Sequence, residues 1–119
     1  MYKQLLKKIT NLGSPKVMVI GDFMLDIYIY GDASRISPEA PVPVLRLHNT
    51  HHSCGGAGSV TADLSALGAS VTCVGTIGKD QNGKILTKLL KQLHADTSGL
   101  MVLEDRPTIS KQRLIGLAQ

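Results

Sequence analysis

The sequence predicts an α/β protein, and three patterns lead to that class. The apolar run at residues 17–20 is typical of a short strand that is buried on both faces of a parallel sheet. Between residues 55 and 103, strand-like and helix-like segments alternate, which indicates parallel strands joined by helices. Further strand-like segments at about residues 27–47 and 108–117 do not fit that alternation. They predict a small second sheet beside the main one.

The composition limits the size of the protein. The 119 residues are 43% apolar and 18% charged, which is enough for one modest domain with a core. Residues 1–119 are therefore expected to form a single domain, and a partial one, because three parallel strands are thin for an α/β sheet. The two cysteines do not make a disulfide framework.

The same numbers disfavour several classes of partner. Aromatic residues make up 3% of the chain and Trp is absent, so stacking platforms for nucleic-acid bases are not expected. The net charge of +4 comes without a dense tract of Lys and Arg, which argues against a nucleic-acid partner. No apolar run approaches the ~18 residues of a membrane span, and the N-terminus lacks the apolar core of a signal peptide. A cytoplasmic protein without a membrane partner is the expectation.

The first half of the chain predicts one helix and three strands. Residues 2–12 place leucines and an isoleucine at helical spacing. After the strand at residues 17–20, residues 27–30 predict a strand that ends in a turn at Gly31 and Asp32. Residues 34–43 contain three prolines and are expected to form an ordered loop or extended arm, with a strand over residues 42–47.

The second half predicts the alternation of helix and strand. A helix with an apolar face follows the glycine turn, runs through Val60 to Leu67 and ends at Gly68. Residues 71–78 predict a core strand, and Asp80 is placed to cap a second helix, which residues 94–99 close. The apolar side of that helix carries Ile85, Leu86, Leu89, Leu90 and Leu93. Residues 100–103 and 108–117 predict the last two strands.

A glycine turn and two aspartates are the candidate binding residues. Gly55 and Gly56 lead into a helix N-terminus, where free N–H groups can hold a polyol or an anion. Tight packing of helix on strand is the alternative reason for these glycines. Asp22 is expected at the carboxyl end of a central strand, and Asp26 follows four residues later. Two carboxylates can accept hydrogen bonds from sugar hydroxyls, although turn or cap roles are the alternative.

Three histidines and a cysteine form the only other cluster of reactive side chains. His48, His51, His52 and Cys54 are zinc ligands by type, but their spacing is tight and no second pair follows. Solvated histidines on a loop are therefore preferred, and no metal site is expected. Cys54 is interpreted as a small buried residue rather than a reactive thiolate.

Several of these motifs, taken together and in order, resemble a known family. They are Gly21-Asp22 with Asp26, the arm at residues 34–44, the turn Gly55-Gly56-Ala57, Leu67-Gly68-Ala69, and Val74-Gly75 followed by Gly78-Lys79-Asp80. Their order resembles the N-terminal part of the ribokinase-like (PfkB-type) sugar kinases. The arm Ser-Arg-Ile-Ser-Pro-Glu-Ala-Pro-Val-Pro-Val and residues 108–113 resemble the branch that phosphorylates D-glycero-D-manno-heptose 7-phosphate at O1 with ATP, in ADP-heptose synthesis. The likeness covers roughly residues 16–119.

The resemblance implies the N-terminal part of a three-layer fold, with a parallel sheet and a small β lid that closes over the sugar. It implies that Asp22 and Asp26 hold sugar hydroxyls, and that Gly55 and Gly56 let the backbone approach the sugar. The lid strands also offer a route to a homodimer.

The resemblance also assigns the cationic residues of the lid. Arg35 and Lys111, with Arg113 as a weaker candidate, would meet the 7-phosphate, a role that suits guanidinium and ammonium groups. Two positions depart from the family, because Ser59 stands where an asparagine is usual and Asp63 where a second one is frequent. Ser59 is therefore a shorter candidate for contact with the sugar.

A larger departure concerns catalysis. The family's catalytic base lies in a Gly-Ala-Gly-Asp motif of the C-terminal half, which also supplies the ATP site, and this motif does not occur in the 119 residues. ATP and Mg²⁺ are therefore expected of the full-length parent protein and not of this chain, which has no catalytic residue assigned and is expected to be inactive alone. The alternative is a non-catalytic remnant that binds a sugar phosphate or another protein.

Overall fold

The computed structural model describes residues 1–117 and contains two three-stranded sheets. The helices and strands follow one another as α1 (Tyr2–Thr10), β1 (Lys16–Ile20), β2 (Phe23–Ile36), β3 (Pro43–Gly56), α2 (Ala57–Ala66), β4 (Ser70–Gly78), α3 (Gln81–Gln92), β5 (Asp96–Leu103) and β6 (Ser110–Leu117). The main sheet has the order β1-β4-β5 and is parallel. The second sheet, here called the lid sheet, has the order β3-β2-β6. The predicted α/β class with a parallel sheet and a small second sheet is confirmed.

The position of β1 differs from the prediction. The sheet order makes β4 the central strand, so β1 lies at the margin of the main sheet in the described chain and Asp22 does not follow a central strand. Burial on both faces is also wrong, because Met18 and Ile20 are 61% and 72% exposed while Val19 is buried. A run of four apolar residues does not reveal how many of its faces are covered.

The core lies where α3 and α2 pack between the two sheets. Leu86 and Leu90 of α3 are fully buried against side chains from both sheets, which confirms the predicted apolar side of this helix. The lid sheet contributes Phe23, Leu25 and Ile27, and the main sheet contributes Val19, Val71, Cys73 and Ile77. Strand β2 thus has an inward face of alternate apolar residues, and its other face carries the polar ones.

Strands β2 and β3 are longer than predicted and form one antiparallel hairpin. The predicted turn at Gly31 and Asp32 is wrong, because β2 continues through both residues to Ile36. The pairing shifts by one residue after Tyr30, where a β-bulge occurs. A Cβ atom at Gly31 would lie 2.7 Å from the carbonyl oxygen of Arg46, so glycine permits this close approach. Only residues 37–42 form the loop of the hairpin, which shortens the predicted arm.

The histidine cluster lies on a strand and not on a loop. All three histidines are part of β3, where His51 and His52 lie opposite residues of β2 and His48 lies at the bulge. Alternation along the strand sends His51 and His52 to opposite faces of the lid sheet. The loop interpretation failed because polar residues at these positions hide the strand pattern, which becomes clear only from the pairing with β2.

The helices follow the predicted positions with differences in their buried faces. Helix α2 ends before Gly68, as predicted, but it buries Gly58 and Thr61, while Val60 is 50% exposed. Helix α3 ends at Gln92, and β5 begins at Asp96, so the prediction that residues 94–99 only close the helix is wrong. No helix within residues 1–117 is long and apolar enough to cross a membrane.

Asp80 joins the start of α3 to the start of β6. It caps the helix as predicted, since its Oδ1 accepts a hydrogen bond of 2.8 Å from the Gly83 N–H. The hydroxyl of buried Thr108 donates to Oδ1 at 2.7 Å, and the Thr108 N–H donates to Oδ2 at 2.8 Å. These contacts are called the Asp80–Thr108 clasp below. The Thr108 hydroxyl, followed by the Thr108 and Gly83 N–H groups, lowers the pKa of Asp80 from its ordinary value of 3.8.

The clasp predicts a specific dependence of stability on pH. Because the pKa of Asp80 is lower in the folded chain, its contribution to stability is present above the ordinary value and is lost as pH falls through the folded value. We expect Asp80→Asn to be less stable than the wild type near pH 7 and the difference to shrink below about pH 4. Urea unfolding across that range measures it.

Thr108→Val is the matched test, because it removes the hydroxyl that lowers the pKa most. It should reduce the pH dependence in the same direction as Asp80→Asn. A stability difference between wild type and Asp80→Asn that is constant with pH contradicts the assignment.

Candidate functional site

The diglycine turn closes against the start of β2. Gly56 has a φ of 58°, and the N–H of Ala57 donates a hydrogen bond of 2.9 Å to the carbonyl oxygen of Asp22. A Cβ atom at Gly56 would overlap that same oxygen. A Cβ atom at Gly55 would lie 2.8 Å from Oδ2 of Asp26. Glycine at both positions therefore lets the backbone approach Asp22 and the Asp26 carboxylate.

Asp26 is the most unusual polar side chain of the described chain. Its side chain is 16% exposed, and its Oδ1 atom is buried with no hydrogen-bond partner among the described residues. The Nζ atom of Lys111 lies 3.9 Å from Oδ1, at the limit of an ion pair. Because buried carboxylate oxygens normally have donors, this atom lacks a donor that its burial would ordinarily require. A sugar hydroxyl is a donor of the right kind.

Two rows of side chains lie next to one another across the lid sheet. In the first row Asp26 lies between Lys111 of β6 and Ser53 of β3. In the second row, two residues further along β2, Tyr28 lies between Arg113 and His51. The two rows share a face because side chains two residues apart on a strand point the same way. These six residues are called the lid polar face.

The second row is held by contacts with the Tyr28 ring. The Cζ atom of Arg113 lies 5.6 Å from the centre of the ring, within the range of a cation–π contact. The rings of Tyr28 and His51 are 6.4 Å apart between their centres. Sequence reasoning missed Tyr28, His51 and Ser53, although alternation along β2 from Asp26 would have indicated Tyr28.

Asp22 contacts the diglycine turn through its backbone carbonyl oxygen and not through its carboxylate. It is exposed and lines an open hollow of about 570 Å³ together with Gly56, Ala57 and Met24. Asp26 instead meets the turn at Gly55. The structure therefore brings both aspartates to the diglycine turn, but through separate contacts rather than as side chains lining that one hollow.

Ser59 forms no hydrogen bond with Asp26 in the described chain, and Arg35 lies far from it. The Ser59 hydroxyl donates to the carbonyl oxygen of Cys54 at 3.0 Å and lines another hollow of about 350 Å³ with His52 and Asp63. Arg35 lies near the far end of β2, opposite Val44. It lies nine positions along the strand from Asp26, a distance of about 30 Å at ~3.3 Å per residue.

Cys54 and the histidines show no sign of metal or thiolate chemistry in the described chain. Burial, with a smaller contribution from Cys73, raises the pKa of Cys54 to about 11, so the thiol is neutral near pH 7. The neutral thiol agrees with the interpretation that Cys54 is not a reactive thiolate, although the residue is half-buried rather than fully buried. His48 is hydrogen-bonded to Asp32 at 2.5 Å. Within residues 1–117 no three His, Cys, Asp or Glu side chains are grouped so that they could hold a metal ion.

A further hollow lies away from these residues. It has a volume of about 620 Å³ and follows α3, with Ile77 and Val102 beneath and Lys84, Lys88 and Lys91 at its margin. The lysines are solvent-exposed, as expected for the polar face of an amphipathic helix. Size alone does not make this hollow the functional site.

The diglycine turn predicts a difference between two glycine substitutions. Gly56 and Gly68 both have positive φ, but a Cβ atom at Gly68 would meet nothing within 4 Å. Gly68→Ala should cost about 1 kcal/mol from backbone strain alone. Gly56→Ala should cost roughly 3 kcal/mol or more, because the overlap with Asp22 adds to that strain. Urea unfolding compares the two, and equal losses would contradict the close approach at Gly56.

Comparison with known proteins adds the family. Residues 14–116 match the model of the pfkB family carbohydrate kinases. The chain is 46% identical over 100 residues to the bifunctional protein HldE of Magnetococcus marinus, which covers 84% of this chain and 20% of that protein. It is 41% identical over 112 residues to the bifunctional protein HldE of Sulfurimonas denitrificans, and the match covers 94% of this chain and 24% of that protein. The chain thus spans about a fifth to a quarter of the length of these relatives.

Solved structures agree on the fold. A putative sugar kinase from Clostridium perfringens superposes with a TM-score of 0.68 at 20% identity, over 87% of this chain and 31% of that one. Arabidopsis thaliana ribokinase, complexed with ribose and ATP, superposes with a TM-score of 0.66 at 18% identity, over 88% and 33%. At such identities the likeness concerns the fold alone, which is ribokinase-like. Together with the family match over most of its length, this means that the chain belongs to the pfkB family of carbohydrate kinases.

Proposed function

We propose that this chain is the sugar-binding N-terminal portion of an ATP-dependent kinase that phosphorylates heptose 7-phosphate at O1, in the cytoplasmic synthesis of ADP-heptose. One observation carries the proposal. The buried Oδ1 atom of Asp26 has no donor, lies beside the diglycine backbone and is 3.9 Å from the ammonium group of Lys111. A ligand with a hydroxyl group next to an anionic group would satisfy both side chains.

The roles in this proposal follow the chemistry of each side chain. Asp26 and the exposed Asp22 accept hydrogen bonds from sugar hydroxyls, and Gly55 and Gly56 let the ring come against the backbone. Lys111 and Arg113 lie on neighbouring rows of the lid polar face and take the phosphate. Two rows are separated by about 7 Å along the strand, which suits a sugar with its phosphate at one end.

Arg35 and Ser59 have weaker support in the proposal. Arg35 is too far along β2 to share a ligand with Asp26 of the same chain. Ser59 already donates its hydroxyl proton to a backbone carbonyl. A homodimer through the lid strands also belongs to the proposal, since β3 and β6 form the two margins of the lid sheet in the described residues.

The choice of heptose rests on the relatives. The HldE proteins are 41% and 46% identical to this chain over most of its length, and the arm at residues 34–44 resembles the heptose branch. ATP and Mg²⁺ are proposed for the whole kinase, and the Arabidopsis ribokinase solved with ATP supports a nucleotide donor. No residue of this chain is assigned to either cofactor.

Binding to the sugar tests the proposal directly. Nuclear magnetic resonance titration of the chain with heptose 7-phosphate and with free heptose gives both affinities. Asp26→Asn should weaken binding of both ligands by about tenfold to a hundredfold, because a charged acceptor is replaced by a neutral amide with a single accepting oxygen. Lys111→Met should weaken only the phosphorylated sugar, by roughly tenfold.

The matched control is Asp32→Asn, since Asp32 lies on the same strand six residues away and is bonded to His48. It should leave both affinities unchanged. Absence of binding by the wild type, or an equal effect of Asp32→Asn and Asp26→Asn, contradicts the proposed site.

Phosphoryl transfer gives a second test. Phosphoryl transfer needs an aligned nucleophile, a base and groups that hold the phosphates. We expect the 119-residue chain, mixed with ATP, Mg²⁺ and heptose 7-phosphate, to form no ADP above a blank without protein. ATP turnover that depends on the sugar would refute this part of the proposal. It would mean that a residue of this chain acts as the catalytic base.

A further inference from the structure

The register of β6 decides what lies opposite Asp26. Strand β6 pairs in parallel with β2, with Ser110 opposite Leu25, Lys111 opposite Asp26 and Gln112 opposite Ile27. Because side chains alternate, a slip by one residue would turn Lys111 toward the apolar face that carries Leu25 and Ile27. The ammonium group would then leave the lid polar face, and Arg113 would leave with it.

Little within β6 itself fixes that register. Its neighbour in the described residues is β2 alone, and parallel pairing is slightly less stable per residue than antiparallel pairing. Leu114, which pairs with Ile29, is 58% exposed, so it contributes little burial to hold the strand. The register must therefore be fixed largely where the strand begins.

The Asp80–Thr108 clasp lies at that beginning. Thr108 is 5% exposed and precedes β6 by two residues. Its hydroxyl accepts a hydrogen bond of 2.9 Å from the Gly78 N–H and donates one of 2.7 Å to Asp80, while its N–H donates to the second oxygen of Asp80. Both polar groups of one residue are thus bonded to the end of β4 and the start of α3.

The backbone around the clasp is shaped to receive Thr108. A Cβ atom at Gly78 would lie 2.5 Å from the Thr108 nitrogen, and one at Gly83 would lie 2.9 Å from the Thr108 hydroxyl oxygen. Because Gly78 and Gly83 have no side chains, Thr108 can pack closely against both of them. The next residue, Ile109, accepts a hydrogen bond of 2.9 Å from the Leu25 N–H, which connects the clasp to β2.

We propose that the Asp80–Thr108 clasp fixes the register of β6 and thereby holds Lys111 opposite Asp26, so that Asp80 and Thr108 are positioning residues for recognition of the phosphate group. The part that concerns phosphate rests on the proposed function. Only two residues lie between Thr108 and Lys111, so a fixed Thr108 leaves the strand no slack for a slip of one residue. The clasp also ties the lid sheet to the body of the domain.

Hydrogen exchange without ligand tests the register. We expect Thr108→Val and Asp80→Asn to raise exchange of the β6 amides by about tenfold or more, since each removes at least one bond at a buried residue. Thr108→Ser keeps the hydroxyl and should retain protection. Asp96→Ala removes the bond that the Ser98 N–H donates to Asp96 Oδ1 and should leave β6 unchanged. Unchanged protection of β6 in Thr108→Val and Asp80→Asn overturns the proposal.

Discrimination between heptose 7-phosphate and free heptose tests the positioning role. Thr108→Val should lose preference for the phosphorylated sugar, to about the level of Lys111→Met, while affinity for free heptose stays within about twofold of the wild type. A purely structural role would weaken both sugars alike, and that result overturns the positioning role. If the wild type binds neither sugar, the proposed function fails, and hydrogen exchange still decides whether the clasp fixes β6. If Thr108→Val does not fold, Asp80→Asn and Thr108→Ser carry the same comparison.

Discussion

The antiparallel pairing of β2 with β3 is the constraint on which the rest of the structure depends. It brings Gly55 opposite Met24 and Ser53 opposite Asp26, so that the end of one strand lies against a carboxylate of the other. The same two strands run from the core to the far hairpin loop and thus belong both to the body and to the lid. Glycine at positions 55 and 56 lets the strands close in this register without steric overlap.

Burial of the Asp26 carboxylate costs free energy of folding. Removing charge from water is unfavourable unless donors compensate, and here Oδ1 has only a distant ammonium group. The core shared by the two sheets needs no such group for its packing, because it is built from apolar side chains. An unfavourable polar group that packing does not require is typical of a site whose partner is a ligand.

The lid sheet is joined to the body through more than its strands. The Asp80–Thr108 clasp connects the first residues before β6 to the main sheet and to α3, and the inward face of β2 contributes Phe23, Leu25 and Ile27 to the shared core. The outer half of the hairpin, beyond the bulge after Tyr30, has no such anchor, since the residues from Ser34 to Val44 are mostly exposed. The inner half of the lid is therefore the part that holds a fixed geometry around Asp26.

The sequence by itself determined the α/β class, the apolar side of α3, the cap at Asp80 and the importance of the diglycine turn. Each of these depends on neighbours within a few residues, such as helical spacing or the need for positive φ at Gly56. The family was also readable from the sequence, because its motifs are short stretches in a fixed order.

Only the tertiary structure decided the marginal place of β1, the strand character of the histidine segment and the contacts of Asp26. The exposure of Met18 depends on which distant segments pack against β1. The pairing of His51 with Tyr28 and the approach of Lys111 to Asp26 likewise join residues that are far apart in the chain. The sequence likewise did not reveal the positions of Arg35 and Ser59. Arg35 lies far from Asp26 along the long strand β2, and the Ser59 hydroxyl is hydrogen-bonded to a backbone carbonyl. Long-range pairing sets these relations, and local sequence patterns do not contain it.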